Sequence, residues 1–328
     1  MTTRFVDPVQ APAFIGAFGL GTFSGTVASN TATAGRGNVF FVDGDDGTDG
    51  NDGLSPDYPK ATIQAALDMV QSGGVVYVKA RAIAAAGADP VSYAETLTIA
   101  AGKSGVALVG VSSGLKQAAQ PQVKKGSGST AQLTIRSPGC LIYGLTFNGA
   151  GATGGGILLD DDSVTVSAEG TIIQSCFFKN CKGSVATDGS KGGGVVCNGG
   201  SWNTLIKDCQ FYNNIGGVVL TAGGAVTQDI TIENCTFNAS AAANRDCDIW
   251  MNSAVAGTGI IIRDCMFGIF PNAGTKNTYM DLTGVSGTLA GCRFGCTGKT
   301  FGAAGNVLVP ATVLMPGNWQ EDAIITRT

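Results

Sequence analysis

Six segments of the chain align without a gap: CLIYGLTFNGA (140–150), TIIQSCFFKNC (171–181), TLIKDCQFYNN (204–214), ITIENCTFNAS (230–240), IIIRDCMFGIF (260–270) and GTLAGCRFGCT (287–297). The eighth column is Phe in every segment: Phe147, Phe178, Phe211, Phe237, Phe267 and Phe294, spaced by 31, 33, 26, 30 and 27 residues. The sixth column reads Leu145, then Cys176, Cys209, Cys235, Cys265 and Cys292. The third is aliphatic throughout: Ile142, Ile173, Ile206, Ile232, Ile262 and Leu289. One column could be chance; three that keep step define a repeat.

The fifth column supplies the geometry. It reads Gly144, Ser175, Asp208, Asn234, Asp264 and Gly291, mostly residue types that enter the left-handed backbone region at low cost. A short strand is therefore expected to end before it, and a second to run through columns six to eight. Alternation then points columns six and eight to one side, so a Cys and a Phe turn inward on every repeat. Each buried Phe contributes roughly 1.5–3 kcal/mol, enough for six of them to anchor a solenoid. A further apolar strand follows in each repeat, usually after glycines: GGGILLD (154–160), GGGVVCN (192–198), GGVVLTA (216–222), CDIWMNS (247–253) and NTYMDLT (277–283). The glycine runs read as bends. Two or three short strands per repeat of this length predict an all-β parallel β-helix. A sandwich has no fixed-period ladders, and a propeller blade needs ~40–50 residues.

Composition agrees and excludes much chemistry. Gly accounts for 50 of 328 residues, while charged residues are only 13%, about half the usual share. His is absent, so the chain has no Ser-His-Asp or Cys-His site, no His-ligated metal and no imidazole switch. A net charge of −4 gives no basic footprint for nucleic acid, and no apolar run approaches the ~20 residues of a membrane helix. Ten Cys without a CxxC or a His argue against both a structural zinc site and a small disulfide scaffold. Buried thiols in column six fit assembly in a reducing compartment.

Upstream of the repeats the chain reads NVFFVDGDDGTDGNDGLSPDYPKATIQAALDMVQSGGVVYVKA over 38–80. A strand at Val39–Val42, an acidic loop over 43–59 and a helix over 62–71 are expected, with Ile63, Leu67 and Val70 on one face. Val75–Val78 reads as the first solenoid strand. The loop, Thr62-Ile63-Gln64-Ala65-Ala66-Leu67 and Gly74-Val75-Val76-Tyr77-Val78 resemble the opening of right-handed β-helix proteins of the pectate-lyase-like superfamily. That resemblance implies a helix capping the open end of the coil. It carries little about activity, because the superfamily holds lyases, hydrolases, epimerases and inert viral proteins. The implied layout is an arm over 1–37, a strand, loop and cap over 38–74, a β-helix over 75–300 and a last coil with tail over 301–328.

Candidate chemistry is sparse. Asp160, Asp161 and Asp162 close a strand, but consecutive side chains alternate, so at most two could converge. Asp246 and Asp248, beside Arg245, form a second candidate without a catalytic motif around them. Asp43, Asp45, Asp46, Asp49, Asp52 and Asp57 offer oxygen ligands for calcium, yet their spacing fits no calcium loop. Solvation of a glycine-rich turn is the favoured reading, and no cofactor or metal is expected. Trp202 could stack on a sugar ring. Residues 11–23, APAFIGAFGLGTF, and Ala32-Thr33-Ala34 have the look of a leader and its cleavage site. Asp7, Pro8 and the glycines argue instead for a retained apolar arm.

These features favour a non-enzymatic surface protein of a tailed-bacteriophage virion, a capsid decoration or head fibre, resembling phage spike and decoration proteins in architecture. The expected partners are two further copies in a homotrimer and a capsid or tail protein met through 1–37, with assembly in the host cytoplasm. A cell-surface glycan is a further candidate. A tailspike-type polysaccharide lyase or hydrolase using the Asp candidates, and a secreted β-helix adhesin, are the competing readings.

Overall fold

A computed structural model of the chain describes residues 38–83, 85, 88–111, 119–124, 131–149, 155–161, 164–181, 193–221, 227–238, 247–251, 257–268, 280–295, 307–320 and 323–325. The expectations for the arm and for Asp162, Arg245 and Asp246 lie outside these residues.

Short strands alternate with left-handed bends, so the chain turns three corners per repeat and returns to lie beside itself. Ile172–Gln174, Phe177–Lys179 and Val195–Asn198 occupy three different sheets, and Leu205–Lys207 comes back to the first. Sheet A has 10 strands, from Val39–Val42 to Val313–Leu314, all parallel. Sheet B runs from Gln122–Val123 to Asn318–Gln320, where Ala323–Ile325 adds one antiparallel strand. Sheet C has 8, from Leu97–Ile99 to Val307–Leu308. Parallel pairs joined by crossovers take the right-handed sense. The fold is a right-handed parallel β-helix. It reaches further upstream than Val75, because Val39–Val42 pairs in parallel with Val75–Lys79.

The repeat columns become stacked ladders. Phe178 sits in register with Phe147 and Phe211, and Ile173 with Ile142 and Ile206. The six rings stack with centroids 4.6 to 5.3 Å apart. Fifth-column residues all lie in the left-handed region, from φ 51° at Asn234 to φ 67° at Gly144. Each donates its N–H to the carbonyl of the fourth-column residue on the next coil, as Asp208 does to Glu233 O at 3.1 Å and Asn234 to Arg263 O at 3.1 Å. Backbone groups freed by the bend are thereby satisfied. A second left-handed ladder, not anticipated, precedes the sheet A strands at Gly105, Gly139, Gly170, Asn203 and Asp229, and continues at Gly259 inside the strand Gly257–Arg263.

The glycine runs serve two ends. Gly193 takes φ 145°, as a bend residue does, but Gly156, Gly194 and Gly217 do not enter positive φ. A Cβ there would meet the rings of Phe178, Phe211 and Phe237 at 2.8, 2.7 and 2.7 Å. These glycines make room for the aromatic ladder, one per coil.

Helix α1, Ile63–Met69, closes the N-terminal end over Ile63, Ala66 and Leu67, all buried. Its ends are held from the next coil. Thr62 caps it locally, and the Glu95 carboxylate accepts Ile63 N–H at 3.0 Å and Gln64 N–H at 2.9 Å. At the other end Lys103 Nζ donates to Leu67 O, Asp68 O and Val70 O at 2.6, 2.8 and 2.9 Å. An acid at the N-terminus and an ammonium at the C-terminus both complement the helix dipole.

Candidate functional site

The acidic loop is organised by its own carboxylates. Asp43 accepts the amides of Asp45 at 3.0 Å and Asp46 at 3.4 Å and pairs with Lys79. Burial pushes its carboxyl up, but Lys79 and the two amides outweigh that and hold it below the ordinary value. Asp45 accepts Ala82 N–H at 2.7 Å and Arg81 Nε–H at 2.8 Å, which lowers its carboxyl too. Asp49 turns the opposite way, to Ala61 N, Thr62 N and Thr62 Oγ1 at 3.0, 2.9 and 2.8 Å, just before the helix. Asp52 accepts Leu54 N–H, and Asp57 donates its own N–H to Ser55 Oγ. Asp46 joins Asp43 at Lys79, 3.5 Å from its Nζ, while the carboxylates of Asp45, Asp49 and Asp52 turn to other partners. Among the described residues no three His, Cys, Asp or Glu side chains come together as a metal centre.

The strand-end pair separates as alternation requires. Asp161 is buried and closes its loop by accepting Ala168 N–H at 2.9 Å. Asp160 faces outward, where Arg136 Nε donates to it at 2.7 Å and Asn198 Nδ2 at 3.4 Å. Thr221 Oγ1 then donates to Asn198 Oδ1 at 2.8 Å. Register explains this row: Asp160 pairs with Asn198 and Asn198 with Thr221 across neighbouring coils. It is a polar row on sheet C, read across coils and invisible along the chain. Asp248 is buried on the strand beside Val218 and Val219. It lies about 13 Å along the strands and about 14 Å across them from Asp160. The two do not share a site. Trp202, 38% exposed, stands at the corner after Asn198, and its carbonyl accepts Gly170 N–H at 2.7 Å.

The column-six cysteines are buried and unpaired by disulfides, as are the other described cysteines. Each Sγ points to the third-column carbonyl one coil back, from Cys209 to Ile173 O at 3.5 Å to Cys292 to Ile262 O at 3.9 Å. Burial pushes the Cys140, Cys181 and Cys197 thiols up to about 12 and raises Cys209. A thiol so held is not a nucleophile at neutral pH.

A scan against protein-family models and a search of curated proteins each returned no match. Solved structures do match. A rhamnogalacturonan lyase aligns over 88% of this chain and 89% of its own at 12% identity, with a TM-score of 0.43. The pectin methylesterase of Aspergillus niger aligns over 89% and 87% at 11% identity and a TM-score of 0.43. A capsular polysaccharide depolymerase, the tailspike of an Acinetobacter baumannii bacteriophage, aligns over 76% of this chain and 49% of its own at 12% identity, TM-score 0.38. At these identities the likeness concerns the fold alone.

Proposed function

We propose that the chain is a non-enzymatic structural protein of the surface of a tailed-bacteriophage particle, a capsid decoration or head fibre assembled as a homotrimer. The observation that supports this reading is the employment of the acidic candidates. Asp43, Asp45, Asp49, Asp160 and Asp161 each hold a backbone amide or a cation that the fold needs. Acid–base chemistry requires two titratable groups converging on one point, and these carboxylates diverge. Buried free thiols accord with assembly in a reducing host cytoplasm. A rigid rod with low charge suits display and attachment.

The Arg136–Asp160–Asn198 row favours one second reading, cleavage or binding of a cell-surface glycan on sheet C. A panel of acidic and neutral polysaccharides, read for new reducing ends and for unsaturated sugar, separates the two. The structural reading expects no product. Product formed by the native chain and lost in Asp160→Ala would replace it with the enzyme. Co-sedimentation of the purified protein with phage particles lacking it tests the particle role directly.

A further inference from the structure

Sheet A carries a second apolar layer on the side away from the core. Val76, Val78, Leu108 and Ile142 point inward and join the main core. Their neighbours Val75, Ala107, Val109 and Leu141 point outward and form a separate cluster flanked by Tyr77 and Ile172. On one face of a parallel sheet such residues stay wet unless another layer covers them. Here they are only 4, 2, 2 and 9% exposed, in a single chain. Further along, the column of Val109 turns polar at Lys207, Glu233 and Arg263, and Arg263 and Lys207 both pair with Glu233, whereas the column of Val75 continues through Leu205, Thr231, Ile261 and Leu314. Only in the first coils are these outer apolar side chains buried; Ile261 and Leu314 of the same column are 40 and 67% exposed.

We propose that residues 11–23 of the same chain dock on this outer face of sheet A. The segment APAFIGAFGLGTF carries Phe14, Ile15, Phe18, Leu20 and Phe23, with no charge to desolvate. It joins the fold at the right place. Asn38 is tied to the first coils through Val75 N–H to its carbonyl at 2.9 Å and Gln71 N–H to its Oδ1 at 3.1 Å. Strand Val39–Val42 is the edge of the same sheet. Four strand spacings of ~4.8 Å carry the patch about 19 Å from that edge. The residues between 23 and 38 span up to about 50 Å when extended, so the reach is ample. Two apolar surfaces of one chain then bury each other, and neither is left in water. The inference stands without the particle reading, because it concerns the isolated chain.

A photo-crosslinker tests it in the full chain. With Phe18→p-benzoylphenylalanine, irradiation is expected to link position 18 to peptides spanning 75–79, 107–111 or 141–143, in a band of monomer mass. Links between copies, links to sheets B or C, or no product would overturn the proposal. A second measurement uses the full chain with Phe14→Ser, Phe18→Ser and Phe23→Ser together. Nitration of Tyr77 should rise several-fold over the native chain, and an unchanged rate would also overturn it.

Discussion

Phe211 and Phe237 lie 4.6 Å apart between ring centroids with their planes 4° from parallel, although 26 residues separate them in sequence. They are the tightest step of a six-ring stack that runs through the core. Removing one ring leaves a void between two others that cannot collapse, because the coils above and below are fixed by backbone pairing. Phe211→Ala should therefore cost about 3–5 kcal/mol. Urea or guanidinium unfolding of the variant checks this, and a loss under ~1 kcal/mol would contradict the stack's role.

Gly194 tests whether the glycine runs serve packing. Its missing Cβ would sit 2.7 Å from the Phe211 ring. Gly194→Ala is expected to destabilise by about 1–3 kcal/mol through overpacking. Combined with Phe211→Leu, the penalty of the alanine should shrink, since the obstructing ring is gone. A bend residue would show no such coupling.

Two carboxylates predict opposite responses to pH. The Asp43 carboxyl is held below its ordinary value, so its contribution is complete above that value and fades as pH falls through the folded-state pKa. The stability gap between the native chain and Asp43→Asn should therefore narrow in acid. Burial pushes Glu95 up, only partly offset by the Gln64 and Ile63 amides. Folding then takes up a proton at Glu95 between its ordinary and folded values, so stability falls as pH rises through that window. Relative to Glu95→Gln, the native chain should lose ground over the same interval. Denaturant midpoints of both variants from pH 3 to 7 decide the two signs.

Thiol reagents should react slowly with the native protein at the cysteines of the ladder. Cys176, Cys209, Cys235, Cys265 and Cys292 are all buried, so labelling waits on opening of the coil. Mass spectrometry of alkylated peptides should find these five largely unmodified before denaturation and fully modified after it. Rapid native labelling of most would dismantle the ladder.

Loss of Lys103 should loosen the cap more than a surface charge would. Its ammonium satisfies three carbonyls at the end of helix α1. Lys103→Met keeps the stem and removes the donors, at a cost of about 1.5–3 kcal/mol. Faster hydrogen exchange confined to residues 63–70 is the expected signature.

What the sequence made legible was what recurs in one column. The Phe, Cys and aliphatic columns were readable because each coil repeats them, and Asp208 and Asn234 were readable as bends because their types share a backbone tolerance. The glycines before the sheet C strands were visible, and Gly193 bends as read, but the need for Gly156, Gly194 and Gly217 comes from a ring in another sheet and from neighbouring carbonyls. The column Gly139, Gly170, Asn203 and Asp229 carried the same chemical signature as the fifth column and could have been found by it. The row Arg136, Asp160, Asn198 and Thr221 could not. Its members are 24, 38 and 23 residues apart, and only the register of sheet C makes them neighbours.

The left-handed ladder in column five has a consequence for length. The Phe intervals vary from 26 to 33 residues, yet every coil places its bend and its ring in the same register. Surplus residues therefore do not lengthen the rise. Each coil advances the molecule by ~4.8 Å whatever its loops contain, so the strands of sheet A measure off about 43 Å. The molecule is in this sense a ruler. Its graduations are set by one backbone conformation per turn, and its sides can be rewritten without changing the scale.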